Sequence, residues 1–267
     1  MENQKNNLHT FVVLAYKESE YLEKCIKSVL NQNYPSKVVI ATTTPNTFIK
    51  SLAKKYSLEI KETKHTDIGG DFDFAAQCGD TPLVTVAHQD DIYEKTYSEE
   101  IVKAYQKHPK STIIFTDYYE LRNGKKIYTN TLLKIKRILL TPIKLKKSLK
   151  SKHFKRTILK YGNSICCPAV TFVKANCPTK IFASKYVCNV DWHAWETLSK
   201  KKGAFTFVNK KLMGHRISES STTTDIISQG IRTKEDYDIF KRFWPNWIAK
   251  SLTKFYQKSE KSNSLEK

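Results

Sequence analysis

Apolar and polar positions follow two rhythms along the first half of this chain, one strand-like and one helical, and the two alternate. Thr10 to Ala15 (TFVVLA) is a short, unbroken apolar run rich in Val, which predicts a buried strand. Ser19 offers a helix N-cap, and Tyr21, Leu22, Cys25, Ile26, Val29 and Leu30 then recur with helical spacing. Pro35 breaks that segment, and Val38 to Thr42 predicts a second strand. Phe48, Ile49, Leu52, Ala53 and Tyr56 form a second helical face, Leu58 to Ile60 a third strand, and Phe72 to Cys78 a helix. Pro82 to Ala87 (PLVTVA) is a fourth buried strand that runs directly into His88-Gln89-Asp90-Asp91. Ile101, Val102 and Tyr105 mark another helix, Thr112 to Thr116 another strand, and Asn123-Gly124 a hairpin turn.

Strands that alternate with helices predict an α/β fold with a doubly wound, mostly parallel sheet and right-handed crossovers. Ligands of such sheets bind beyond the carboxyl ends of the strands. That rule singles out Ala15 to Glu18, Thr42 to Thr44 and His88 to Asp91 before their chemistry is considered. The second half is less regular. Leu132 to Lys160 is basic and apolar by turns, with Pro142 inside it, and predicts a helical insertion. Asp191 to Lys202 predicts a helix with Trp192, Trp195 and Leu198 on one face and Gly203 at its end. Ala204 to Val208 predicts a strand. Ile231 to Phe243 and Trp247 to Tyr256 predict closing helices separated by Pro245, and the polar tail from Gln257 is expected to fray. The expected organisation is a doubly wound Rossmann-like half over 1–130, the basic helical segment over 131–162, a second half over 163–228, and C-terminal helices and tail over 229–267.

Charge changes this picture in one place. The chain carries a net charge of +20, yet no Asp or Glu occurs between Glu120 and Asp191, a stretch that holds 17 of the 46 Lys and Arg residues. The remainder has 29 basic and 26 acidic residues and is nearly balanced. A local excess of this kind fits an anionic surface such as membrane headgroups, nucleic acid or a charged substrate. Phe154 and Tyr161 are the aromatics beside its lysines, and no nucleic-acid reading module is evident, so a nucleic-acid partner is not expected. The apolar Ile135, Ile138, Leu139, Leu140, Ile143, Leu145 and Leu149 instead suit a segment lying on an anionic membrane, with a solvated charged face as the plainer reading. No apolar run approaches the roughly 18 residues of a membrane span. The polar Met1 to His9 does not read as a signal peptide, and six cysteines without a C-x-x-C pair fit reduced thiols. The expected location is cytoplasmic, peripheral at the inner membrane face if the basic segment engages it.

Three places carry candidate chemistry. Asp90 and Asp91 are adjacent carboxylates at the end of a buried strand, a like-charge pair that exposure or a cation must relieve. An isolated Asp-Asp is more often a solvated turn, but the ligand-binding edge favours a hard divalent cation, Mn²⁺ or Mg²⁺, shared with phosphates. Asp191 begins an aromatic helix, where a carboxylate normally caps. Its apolar neighbours Val190 and Trp192 would also raise its proton affinity, as suits a general base. His215 and Arg216 follow the strand-like Lys211 to Gly214 and precede a Ser/Thr-rich loop, Ser218 to Thr224. That arrangement suits a lid, with His215 reaching a metal and Arg216 a phosphate.

These segments resemble the family-two inverting glycosyltransferases, whose fold is GT-A. FVVLAYKESEYLEKCIKSVLNQNYP is similar to the family's opening strand, short T/A-Y-N/K-E turn and S-V-L-x-Q helix end. AHQDD stands at its D-x-D motif, DWHAWETLSKKKG resembles its later E-D-W helix, and HRISESST resembles a His/Arg loop of some members. The likeness spans roughly residues 10 to 220. It implies that Asp90 is the main metal ligand with Asp91 and His215 in support, and that His88 faces the ribose in place of the motif's first Asp. It further implies that Asp191 is the base and that Ala15, Tyr16 and Glu18 line the nucleotide pocket, with Thr44, Asp71 and Arg216 completing the nucleotide-sugar set. Thr42-Thr43-Thr44-Pro45 replaces the family's D-D-G-S, and Asp71 and Asp73 replace an Arg/Asn pair, so the resemblance names no nucleotide base.

The implied reaction is a single displacement from a nucleotide-diphosphate sugar onto a saccharide or lipid-linked acceptor hydroxyl, in synthesis of cell-surface polysaccharide or glycoconjugate. No covalent nucleophile is required, and no Ser/His or Cys/His constellation is evident. The competing readings are a non-catalytic membrane-surface or nucleic-acid binding protein, and a nucleotidyltransferase, which would release pyrophosphate.

Overall fold

The structure is a computed structural model and describes residues 7–182, 184–217 and 230–265. Its centre is one mixed sheet in the order β3-β2-β1-β4-β9-β6-β10-β5, with two short strands off this path. The parallel core consists of β1 (His9–Ala15), β2 (Lys37–Thr42), β3 (Glu59–Glu62) and β4 (Leu83–His88). β9 (Val170–Val173) runs antiparallel between β4 and β6 (Ser111–Arg122), and β10 (Ala204–Arg216) lies parallel to β6. Short β5 (Ile92–Tyr93), β7 (Lys125–Ile127) and β8 (Ser148–Leu149) add antiparallel edges. The alternation from β1 to β4 appears with α1 (Leu22–Leu30), α2 (Thr47–Lys55) and α3 (Ile68–Cys78) as crossovers.

Strand periodicity explains why β1 reads as continuously apolar. Phe11, Val13 and Ala15 pack on one face with Leu22, Cys25, Ile26 and Val29 of α1, Ile49 of α2, and Ile101 of α4 (Tyr97–Lys107). Val12 packs on the other face, with Ala75 and Cys78 of α3 and with Trp192, Trp195 and Leu198 of α8 (Val190–Ser199). Both faces are covered, so every position must be apolar. His9, Thr10 and Thr85 are nevertheless fully buried. The ring nitrogens of His9 meet Ser36 Oγ and Thr85 Oγ1, each at 2.8 Å, which satisfies them.

Several expected boundaries move. α1 starts at Leu22, and Ser19 does not cap it: its hydroxyl accepts the Tyr21 N–H instead. The strand expected over Thr112–Thr116 runs on to Arg122, where Asn123 (φ 48°) and Gly124 (φ 76°) close the expected hairpin into β7. Ala204–Val208 and Lys211–Gly214 are one strand, β10. Its register shifts beside Val208 and Lys211 break the period that would have joined them in sequence. His215 and Arg216 therefore end the strand rather than follow it. The last helices are α9 (Ile231–Phe240) and α10 (Asn246–Leu265); α10 continues through the tail expected to fray. Ser218–Thr224 lies outside the described residues.

The basic segment folds as α5 (Thr131–Leu139), α6 (Thr141–Lys146), β8 and α7 (Lys152–Thr157), with Pro142 in the first turn of α6. Its charge does not all face outward. Arg137 pairs with buried Asp117 at 2.8 Å, Arg156 pairs with buried Glu196, and Lys155 is fully buried with its ammonium on the carbonyls of Lys201 and Gly203. Leu140, Ile143 and Leu149 are core residues, which corrects the expectation that they are free to enter a membrane interface. Ile135, Ile138 and Leu145 remain exposed, as do Lys134, Lys146, Lys147, Lys150 and Lys152. No described helix is long and apolar enough to cross a membrane.

Candidate active site

The ends of β1, β2 and β4 form the sheet's carboxyl edge. Register places Ala15 opposite Thr42 and Leu14 opposite His88, so the three segments singled out by topology adjoin. The Tyr16 N–H donates to Gln89 Oε1 at 3.0 Å, and Gln89 Nε2 donates back to the Tyr16 carbonyl at 2.9 Å. This reciprocal pair ties the β1 turn to the His88–Asp91 turn. Lys17 turns the chain with a left-handed φ of 54°, and its N–H donates to Thr44 Oγ1 at 2.6 Å. Thr43 Oγ1 donates to Asp71 Oδ2 at 3.0 Å, and His65 Nδ1 lies 2.7 Å from the same oxygen. Asp71 Oδ1 is buried with no hydrogen-bond partner among the described residues, which leaves one strong acceptor beside the turn. Ala15 is fully buried and offers no side-chain surface, whereas Glu18 is exposed.

Asp73 has a different task. Its Oδ1 accepts the N–H groups of Ile181 and Phe182 at 2.6 and 2.9 Å, anchoring α3 to that segment.

The acidic pair is held from β10. Asp91 is fully buried; its Oδ1 accepts the Arg216 N–H at 2.8 Å and lies 3.2 Å from His215 Nδ1. β5 pairs with Met213–Gly214 and so delivers Asp91 to that strand end. Gly214 is required there, because a Cβ would fall 2.6 Å from the Tyr119 ring. The Arg216 Nε donates to the Asp90 carbonyl at 2.9 Å, and its guanidinium stacks 4.0 Å over Tyr21. Burial, reinforced by the charge of Asp91, pushes the Asp90 carboxyl up to about 6. Burial lowers His215, but the charge of Asp91, its hydrogen bond and the charge of Asp90 together outweigh burial and raise the imidazole above its ordinary value.

His88 stacks on Phe72 with ring centroids 5.0 Å apart, and its Nε2 is buried with no hydrogen-bond partner among the described residues. One ligand atom from each of His88, Asp90 and Asp91 lies within 4.8 Å of the others; His215 is not in this group. An orphaned imidazole nitrogen beside two repelling carboxylates fits a divalent cation that accepts both nitrogen and oxygen, as Mn²⁺ does.

Asp191 stands in the first turn of α8. The backbone entering that helix is fixed by Glu235, whose carboxylate accepts the N–H groups of Val187, Cys188 and Asn189 at 2.7 to 2.9 Å. Trp192 and Trp195 lock the helix into the core. Asp191 Oδ2 accepts from Asn163 Nδ2 and Oδ1 from the Trp192 N–H, each at 2.7 Å. Burial raises its proton affinity against these donors. Burial also raises the thiols of Cys166 and Cys167, and both sense the charges of Asp191 and Asp91. The two acidic loci, remote in sequence, thus lie within electrostatic reach of one pair of side chains.

Gln89, His65 and Asn163 were not singled out by the sequence, and Lys136 counted there only as one cation of the basic segment. Gln89 stood inside the motif already identified. Asn163 and Lys136 carry no local signal, because their partners Asp191 and Tyr118 are distant in sequence. The Lys136 ammonium donates to Tyr118 Oη at 3.0 Å, and its charge acts on both Asp191 and His215.

The family model described as Glycosyl transferase family 2 matches residues 10–175, which include the β1 turn and Asp90-Asp91 but not Asp191. Among solved structures, S. aureus TarS 1-349 shares the fold with a TM-score of 0.57 at 13% identity, over 92% of this chain and 69% of that one. The same protein in complex with UDP-GlcNAc gives 0.58 at 12%, over 92% and 70%. The mannosyltransferase PcManGT from Pyrobaculum calidifontis, in complex with GDP-Man and Mn²⁺, gives 0.58 at 11%, over 92% and 69%. No curated protein matches the chain in sequence.

Proposed function

The chain belongs to glycosyl transferase family 2, and from that premise we propose that it transfers a hexose from a nucleotide-diphosphate sugar to an acceptor hydroxyl with inversion. The observation that carries this reading is the pairing of two separate acidic loci: Asp90-Asp91 at the sheet's carboxyl edge and a half-buried Asp191 at a helix start. The donor sits over the β1, β2 and β4 ends, with Tyr16, Thr44 and Asp71 toward the nucleoside. His88, Asp90 and Asp91 would hold a divalent cation, which would supply positive charge to the leaving diphosphate. Arg216, with His215 behind Asp91, keeps those acids oriented and adds charge on the same side.

Asp191 accepts the acceptor hydroxyl's proton as the oxygen forms its bond to the anomeric carbon. The bond from that carbon to the diphosphate oxygen breaks, and its electron pair leaves with the nucleoside diphosphate. Attack from the face opposite the leaving group inverts the anomeric centre, with no covalent enzyme intermediate. The complexes of TarS with UDP-GlcNAc and of PcManGT with GDP-Man favour a sugar nucleotide without choosing between uracil and guanine. The acid-poor basic segment, with exposed Ile138 and Leu145 among lysines, favours work at an anionic membrane surface on a glycoconjugate or polysaccharide acceptor.

The test is a donor screen that follows nucleotide release with Mn²⁺ present. Release of a nucleoside diphosphate from one sugar nucleotide is expected. Release of pyrophosphate would instead identify a nucleotidyltransferase.

A further inference from the structure

A narrow apolar groove runs between α5 and α10. Leu132, Ile135, Leu139, Leu252, Phe255 and Tyr256 line it. Phe255 is 69% exposed and Ile135 38%, so it opens to the surface. Asn163 and Lys136 share its wall, together with the hydroxyl-bearing Tyr161 and Tyr256. Asn163 donates to Asp191, so the groove leads to the proposed base.

Lys136 and Lys155 are cations of this segment that the interior holds without a carboxylate partner among the described residues; Lys155 is satisfied by two carbonyls, whereas Lys136 has one hydroxyl. Arg137 and Arg156 are matched by buried carboxylates. Lys136 is half-buried, makes no ion pair among the described residues, and has the neutral Tyr118 hydroxyl as its hydrogen-bond partner. An ammonium has three N–H donors, and the Tyr118 hydroxyl takes one of them, so a bound anion could accept the others. The unmatched charge stands where the apolar lining meets the side chain that holds Asp191.

We propose that this groove is the acceptor site, and that it takes an amphipathic acceptor: an apolar chain along α5 and α10, an anionic phosphate linkage against Lys136, and the reacting hydroxyl at Asp191. The assignment rests on the glycosyltransferase reading and narrows its acceptor to lipid phosphates. Charge complementarity selects the anion. The apolar Leu132, Ile135, Leu139, Leu252 and Phe255 select the chain, since a soluble saccharide would leave them exposed to water.

Dodecyl phosphate below its micelle concentration is the probe, with dodecyl maltoside and inorganic phosphate as controls, and binding is read by calorimetry. Wild-type protein is expected to bind dodecyl phosphate at least tenfold tighter than either control. Lys136→Met should reduce that preference to the level of the neutral detergent. Ile135→Glu and Phe255→Glu, both at exposed positions, should weaken the probe while thermal unfolding shows an intact fold. Equal affinity of wild type and both Glu variants for dodecyl phosphate would overturn the chain site. Mn²⁺-dependent binding of nucleoside diphosphates is measured in parallel. If Lys136→Met loses that binding as strongly as it loses dodecyl phosphate, Lys136 serves the leaving group and the acceptor assignment fails. If wild type binds no sugar nucleotide or nucleoside diphosphate at all, the glycosyltransferase reading itself fails.

Discussion

Asn163 donates its side-chain amide to Asp191 Oδ2 at 2.7 Å, tying the helix acid to a residue 28 positions upstream. Burial raises the proton affinity of Asp191, and this donor lowers it by favouring the carboxylate. A base must be ionised, so activity should fall as pH drops through the Asp191 pKa. Asn163→Ala removes the opposing donor, raises that pKa further, and moves the acid limb of the pH–rate profile to higher pH. An unmoved limb in a folded variant would show that Asp191 does not set it.

Asp191→Asn keeps shape and burial but cannot take a proton. Sugar transfer is expected to fall about 100-fold or more, with Mn²⁺-dependent nucleotide affinity largely unchanged. Transfer near the wild-type rate would reduce Asp191 to a helix-start carboxylate.

Asp90→Asn should abolish the Mn²⁺ dependence of nucleotide binding, since the remaining acid, Asp91, is already engaged by the Arg216 N–H and by His215. Calorimetry with and without Mn²⁺ reads this directly. A folded variant with undiminished metal-dependent affinity would move the cation elsewhere.

The exposed Lys146, Lys147, Lys150 and Lys152 surround exposed Leu145 and Phe154. Each cation near an anionic bilayer contributes about 1 kcal/mol, reduced by salt. The protein should sediment with vesicles containing anionic lipid at low salt and little with neutral vesicles. Changing these four lysines to Gln should weaken the binding. Equal sedimentation with both vesicle types would remove the electrostatic attraction.

His9 gives the fold a pH dependence apart from catalysis. Complete burial lowers its imidazole to about 3 from an ordinary 6.5. The unfolded chain therefore binds more protons than the folded one between those values. Stability contributed by the neutral ring is complete above about 6.5 and is lost as pH falls toward about 3, at up to about 1.4 kcal/mol per pH unit. His9→Gln should show a shallower loss in urea unfolding between pH 7 and 5. A slope identical to wild type would assign the acid sensitivity to other groups.

By itself the sequence determined the strand–helix alternation from Thr10 to Cys78, the sheet type, and the edge where Ala15, Thr44 and Asp90 meet. Each follows from local periodicity: a strand covered on both faces must be apolar at every position, a crossover helix on one stripe only, and the turns after such strands fall on one edge. Tertiary structure decided the rest. β10 looked like two strands because its irregular register near Val208 and Lys211 interrupts the alternation that periodicity depends on. The basic segment read as one outward patch because charge composition does not record direction. Only folding shows that Arg137 and Arg156 turn inward to Asp117 and Glu196 while Lys146 and Lys150 stay in solvent. Asp191 could be placed at a helix start from its neighbours, but Asn163 and Glu235, which hold it and its helix, lie 28 positions before it and 44 after it. Contacts that span such distances are made by packing, which brings together residues whose own neighbours in sequence carry no trace of the encounter.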